Sequence, residues 1–132
     1  MSTSLPSSHL DLLSAPGTAA LATIGADGTP QVTAIWYLLE DGKVKISLSS
    51  ARQKLKNLQQ RPTATFFVID PQNPMRTIEI RAGVELAPDP DLAFGDRVVA
   101  HYGNPFDMRD IDQPGDVRWV ATLNPTRVNV NG

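Results

Sequence analysis

From Lys43 to Ser49 the chain reads KVKISLS, with Val44, Ile46 and Leu48 alternating with Lys43, Lys45 and Ser47. Successive side chains of a strand point to opposite faces, so a period of two makes one apolar face and one polar face. That is the mark of a half-buried antiparallel sheet. The pattern recurs along the chain. TAALATI, residues 18–24, reads as a first strand and GADG as its turn. PQVTAIWYLL, residues 30–39, reads as one continuous strand. Val32, Ala34, Trp36 and Leu38 share one of its faces, and Gln31, Thr33, Ile35 and Tyr37 the other; Trp36 is expected in the core. TATFFVID (63–70) carries adjacent Phe66 and Phe67, which predicts burial on both faces. RTIEIRAGVEL (76–86) turns Ile78, Ile80, Ala82 and Val84 inward, and VRWVATLNPTRVNV (117–130) makes a last strand bent near Pro125.

Helical signals are few. Residues 1–16 read as an N-terminal helix or arm, residues 89–103 as a helix weakened by Gly95, and NPFDMRDIDQPGD (104–116) as a polar loop. Six strands with few helices predict a mainly β, antiparallel barrel, closed or partly open, in a single domain spanning 1–132. The interior of so small a barrel is filled by its own side chains. A ligand is therefore expected outside it or between subunits.

Several chemistries drop out. The chain has no cysteine, which excludes disulfides, thiolate metal sites and a cysteine nucleophile. Its two histidines, His9 and His101, lack the spacing of metal ligands, so no metal site is expected. No serine sits in a nucleophile elbow, GADG is not a phosphate loop, and DMRDIDQPGD lacks the ligand spacing of a calcium loop. No apolar run approaches the roughly 20 residues of a membrane span, and the N-terminus does not read as a secretory signal. A cytoplasmic protein is the expectation.

The charge distribution is more telling than the net charge of −2. From Gly42 to Ile69 there are six basic residues and no acid; from Asp70 to Asp116 there are ten acids and four arginines. A local positive patch on an acidic chain suits a discrete anionic ligand better than nucleic acid. Three of the cations, Arg52, Lys54 and Lys56, crowd the start of SSARQKLKNLQQRP (49–62). This segment reads as a helix capped by Ser50 with Gln53, with Ala51, Leu55 and Leu58 on one face and Pro62 as its stop. The positive end of a helix dipole is the wrong place for cations unless an anion joins them.

LATIGADGTPQVTAIWY, SSARQKLKNL and RWVATLNPTRV follow one another in an order that resembles the split β-barrel flavin and deazaflavin oxidoreductases related to pyridoxamine 5'-phosphate oxidase. The likeness is strongest to the branch that uses the deazaflavin coenzyme F-420. It implies a six-stranded antiparallel split barrel (the FMN-binding split barrel) with a few short helices, assembled as a homodimer whose interface includes the 63–70 strand. It also implies that Ser50, Arg52, Lys54 and Asn57 mark a cofactor phosphate site, with Lys56 and Arg61 placed to meet an anionic tail. By the same resemblance the cofactor ring lies along Gln31, Val32, Thr33, Ala34 and Ile35, Ser47 and Ser49 meet the ring or ribityl chain, and Met75, Arg76 and Ile78 reach across from the partner subunit. The implied activity is hydride transfer from reduced coenzyme F-420 to an activated double bond of a small organic substrate. Two alternatives stay open: an FMN-binding oxidase or reductase, and a non-catalytic cofactor- or heme-binding protein. No catalytic residue is assigned. The proton is expected from solvent or a side chain such as Tyr37, and the substrate pocket from loops around 70–76 and 101–116.

Overall fold

The computed structural model describes residues 3–132; of the expected N-terminal arm, Met1 and Ser2 lie outside the described residues. The alternating runs become strands of one antiparallel sheet. These are β1 (Ala19–Ile24), β2 (Pro30–Ile35), β3 (Leu38–Glu40), β4 (Lys43–Ser49), β5 (Thr63–Asp70), β6 (Asn73–Pro88) and β7 (Arg118–Asn131). Their spatial order is β2-β1-β5-β6-β7-β4-β3. The sheet therefore has seven strands, not six, because the expected 30–39 strand is two. The chain leaves the ladder between Ile35 and Leu38, where Tyr37 turns fully into the core. There its hydroxyl donates to the Leu12 carbonyl at 2.7 Å, and its backbone N–H donates to the Tyr102 hydroxyl at 3.0 Å rather than to a strand.

Period-two burial is kept along the inner strands. Val44, Ile46 and Leu48 of β4 and Ile78, Ile80, Ala82 and Val84 of β6 join Phe66, Leu21 and Leu123 in the core. The bend in β7 is a bulge opposite Arg81 and Ala82, fixed by the Thr126 hydroxyl donating to the Arg81 carbonyl at 3.1 Å. On β2 the inward side carries Ile35, with Thr33 and Gln31 half-buried, while Val32 on the other side is 63% exposed.

Five short helical pieces decorate the sheet. The N-terminal arm is a 3₁₀ turn (Ser7–His9) followed by α1 (Leu10–Ser14), whose Leu12 and Leu13 are buried. Buried His9 ties this arm to the end of β7, its Nε2 lying 2.8 Å from the Asn131 carbonyl oxygen. The basic segment yields α2 (Gln53–Gln60), with Leu55 and Leu58 buried as its apolar spacing predicts. Its N-cap is Arg52, not Ser50, and no capping box forms. The Ser50 hydroxyl instead accepts the Val117 N–H at 2.9 Å, and exposed Ala51 precedes the helix.

Helix α3 (Ala93–His101) is shorter than the 89–103 run: Leu92, at a positive φ, is its N-cap, and buried Asp89 stands ahead of it. The Asp89 carboxylate accepts the N–H groups of Phe94 at 3.2 Å and Gly95 at 2.9 Å. The expected polar loop contains α4 (Met108–Ile111), capped by the Asp107 carboxylate. Gly95 lets this helix approach, because a Cβ there would stand 3.3 Å from Met108 Cε.

Candidate functional site

A cleft of about 530 Å³ opens between the edge strand β2 and β4, the neighbour of the other edge strand. Its walls come from the end of β2 (Thr33, Ala34, Ile35, then Trp36), the end of β4 (Ser47, Leu48, Ser49), the start of α2 (Arg52, Lys54), and the α3–α4 region (Val98, Phe106, Met108, Ile111) with Arg118. A pocket of this size is in the range used for small molecules and cofactors.

The α2 end of the cleft is cationic. Arg76, Arg97, Arg109 and Arg118 all sit in ion pairs, whereas Arg52 and Lys54 sit in none among the described residues. Lys54 is half-buried against β2, with its Nζ donating to Thr33 Oγ1 at 3.0 Å. Burial, with the Arg52 charge adding to it, holds the Lys54 ammonium below the ordinary lysine value. No side chain caps α2, so its first-turn amides lack side-chain acceptors. Beside them Ser49 is buried and accepts the Ala51 N–H at 3.2 Å, while the buried Ser47 Oγ has no hydrogen-bond partner. Uncompensated cations, uncapped amides and an orphaned hydroxyl together suit a ligand with an anionic group and polar ring or chain atoms.

The other end is apolar. The Trp36 ring stacks on Tyr102 with centroids 4.1 Å apart and planes 5° from parallel, and on Phe106 at 5.5 Å and 18°. Trp36 is thus a half-buried cleft wall and not a core residue. Arg118 lines the same cleft with its guanidinium held by Asp112, Nη2 to Oδ1 at 2.5 Å.

Of the residues expected to meet a cofactor, Thr33, Ala34, Ile35, Ser47, Ser49, Arg52 and Lys54 come together in the cleft. Gln31, Val32, Ser50 and Asn57 stand next to it in sequence but do not line it. Asn57 is fully buried under α2. Its amide donates to Thr23 Oγ1 at 3.1 Å and Gln31 Oε1 at 3.3 Å, which fastens the helix to β1 and β2. Arg61 is the C-cap of α2 and its Nε donates to the Ile24 carbonyl at 2.7 Å, so it lies at the helix end away from Arg52.

Met75, Arg76 and Ile78 do not line the cleft of their own chain. Met75 is 77% exposed, Arg76 bridges Asp11 and Asp70, and the Ile78 side chain is wholly in the core with none left for a partner. Tyr37 is no proton donor to the cleft: its hydroxyl is buried and bonded, and burial pushes it up to about 12. The 101–116 segment supplies cleft residues and the 70–76 turn does not.

Sequence reasoning expected a pocket from the 101–116 segment without singling out Phe106, Met108 and Ile111 in it, and it missed Arg118. The signal for the first three was large apolar side chains set within an acid-rich stretch; Arg118 carried none. Among the described residues no group of three His, Cys, Asp or Glu side chains is placed to hold a metal ion. None of their helices is long and apolar enough to cross a membrane.

Comparison with known proteins places this geometry. The sequence pattern of the pyridoxamine 5'-phosphate oxidase family matches residues 5–130. No curated protein matches the chain in sequence. A solved F420 reductase is 34% identical, covers 95% of this chain and 98% of its own, and superposes with a TM-score of 0.84. A conserved hypothetical protein from Mycobacterium tuberculosis is 23% identical over 96% of this chain and 84% of its own, with a TM-score of 0.77. The heme storage protein HutZ from Vibrio cholerae is 18% identical over 98% of this chain and 96% of its own, with a TM-score of 0.72. The last two share the fold.

Proposed function

The chain belongs to the pyridoxamine 5'-phosphate oxidase family, and from that premise we propose that it is a coenzyme F-420-dependent reductase acting on an activated double bond of a small organic substrate. The observation that carries this is the pair of uncompensated cations, Arg52 and Lys54, at an uncapped helix start that opens on polar strand ends. The 34% identity to an F420 reductase over nearly the whole chain favours the deazaflavin. When bound, the cofactor supplies the hydride, which is chemistry the side chains here do not offer.

The chain's own residues bind and orient. The Arg52 guanidinium is suited to a two-pronged contact with a phosphate, Lys54 to a compact charge beside it, and the first-turn amides of α2 to the remaining oxygens. The Ser47 hydroxyl, lacking any partner in the chain, is placed for a hydrogen bond to a ring or chain atom. Burial beneath the α3–α4 wall lowers the local polarity and limits water. Tyr37, locked to the Leu12 carbonyl, is not available as the proton donor.

FMN is the second reading, and one observation favours it. Arg61 sits at the far end of α2 with its Nε bonded to the Ile24 carbonyl, which leaves exposed Lys56 as the extra cation nearer Arg52 for a long anionic tail. The heme-binding reading fits less well, because neither His9 nor His101 lines the cleft to offer an imidazole to iron. The test is turnover: reduced coenzyme F-420 mixed with the protein and an enone should be reoxidised, and Arg52→Ala/Lys54→Ala should abolish this. Turnover with reduced FMN alone would instead establish the second reading.

A further inference from the structure

We infer that Arg118 is a catalytic residue of this site, held by Asp112 to donate a hydrogen bond to the acceptor's carbonyl oxygen as that oxygen gains negative charge; this rests on the reductase function proposed above. Arg118 pairs with Ser49 across β7 and β4, and Val120 pairs with Ser47. Its side chain therefore leaves the sheet on the face that carries both serines, away from the main core. The backbone around it is fixed. The Arg118 carbonyl accepts the Asp89 N–H at 2.8 Å, and neighbouring Val117 exchanges two hydrogen bonds with Ser50, at 2.8 and 2.9 Å. The guanidinium is in place before any ligand arrives.

Asp112 uses only part of it. The carboxylate accepts from Nε at 2.9 and 3.0 Å and from Nη2 at 2.5 Å, which leaves Nη1 with no acceptor among the described residues. Arg118 is also the least exposed of the ion-paired arginines there, with 12% of its side chain accessible against 19–53% for the others. It stands between the cleft and a second groove, lined by Asp89, Asp112, Asp116 and Arg109, where carboxylates outnumber cations. An electron-rich oxygen is disfavoured in that groove, so the cleft is the side on which Arg118 meets one. Folding alone is a weak reason for such a pair, since the cost of desolvating two charges offsets most of their attraction.

The pairing decides which oxygen suits Arg118. A guanidinium neutralised by a carboxylate has little net pull on a permanent anion, and Arg52 and Lys54 already serve the cofactor's. It keeps an N–H for an oxygen that is neutral on arrival and negative only during the reaction. A double bond activated by a carbonyl offers one. A hydride added to the β-carbon pushes the C=C electron pair towards the carbonyl, whose oxygen becomes an enolate oxygen. A proton, ultimately from water, then adds to the α-carbon. The acceptor is reduced by two electrons and the dihydro form of the cofactor is oxidised by two. A donor aimed at that oxygen is stronger in the transition state than in the ground state, so it raises kcat without tightening substrate binding.

The test compares the unmodified protein with Arg118→Met/Asp112→Leu, which removes both charges and leaves no carboxylate buried alone. With reduced coenzyme F-420 and 2-cyclohexenone, the double variant should lose about 100-fold in kcat, the scale for one oxyanion donor, with KM within about twofold of the original. Its melting temperature and its affinity for coenzyme F-420 should not change. Where it fails to fold, Arg118→Lys, which keeps a charge opposite Asp112, decides: it should lose about tenfold in kcat. A second arm needs no turnover. 1,3-Cyclohexanedione, ionised at neutral pH, mimics the enolate, and cyclohexanone mimics the uncharged acceptor. On cofactor-free Arg52→Ala/Lys54→Ala protein, calorimetry should find the enolate about tenfold tighter than the ketone, and adding either Arg118 change should remove or reduce that preference. Unchanged kcat in the Arg118 variants, a loss carried by KM alone, or no preference for the enolate would each overturn the role of Arg118. Failure of the unmodified protein to bind coenzyme F-420 would instead refute the reductase function, and the enolate arm would still report on Arg118.

Discussion

Lys54 is held in a compromise that only a ligand resolves. Its ammonium is drawn half into the protein toward Thr33, with the Arg52 charge nearby and no carboxylate to meet it. Replacing it with alanine should weaken binding of the anionic cofactor by about 1.5–3 kcal/mol, the range for hydrogen bonds to charged groups, as read by titration. The free protein should lose little stability on denaturant unfolding. The pH dependence has a definite sign. A lysine whose folded-state value is depressed binds its proton less tightly when folded. The free protein therefore gains stability as pH rises from that lowered value toward the ordinary 10.5. Cofactor affinity moves the other way, falling over the same range as the ammonium is lost, and Lys54→Arg should flatten that fall. The charge at position 54 was legible in the sequence because cations at a helix start break a simple electrostatic rule. Asn57 was not, since its spacing along α2 is equally compatible with a ligand and with the buried bonds it makes to Thr23 and Gln31.

At the scale of elements, α3 and α4 form the apolar wall of the cleft, and their placement hangs on one buried carboxylate. Asp89→Ala should lower stability by about 1–2 kcal/mol in chemical denaturation, because the amides of Phe94 and Gly95 lose their shared acceptor. It should also loosen the wall that carries Val98 and packs Gly95 against Met108. The strands could be read in advance because their burial is written in a local period of two. The break between β2 and β3 could not. It is imposed by Tyr102, 65 residues away from Tyr37 in sequence, whose hydroxyl takes the N–H that a continuous strand would have used. Helix α4 was hidden for a similar reason: four residues are too few to show a period, and contacts with α3 hold them.

At the scale of the whole molecule, one curled sheet encloses the main core and leaves its candidate ligand site between the end of β2 and the end of β4. The far end of the β5–β6 hairpin exposes Ile69 and Met75, and we expect the homodimer implied by the family resemblance to cover them. Light scattering at micromolar concentration should give twice the chain mass, and Ile69→Lys with Met75→Glu should halve it; a monomer in the unmodified protein would refute the dimer. The fold was legible from alternation, and the cationic end of the cleft from charge. Of the apolar end only its 101–116 segment was expected, because Trp36, Phe106 and Ile111 come to one cleft only through the turn of the chain across 75 residues. The central claim is that Arg52 and Lys54 hold the anionic group of a deazaflavin, and ligand-induced thermal stabilisation tests it most directly. Coenzyme F-420 should raise the melting temperature of the unmodified protein in a concentration-dependent way and more than FMN does, and the Arg52→Ala/Lys54→Ala variant should show no rise. An equal rise in the variant, or no rise with coenzyme F-420 in the unmodified protein, would contradict it.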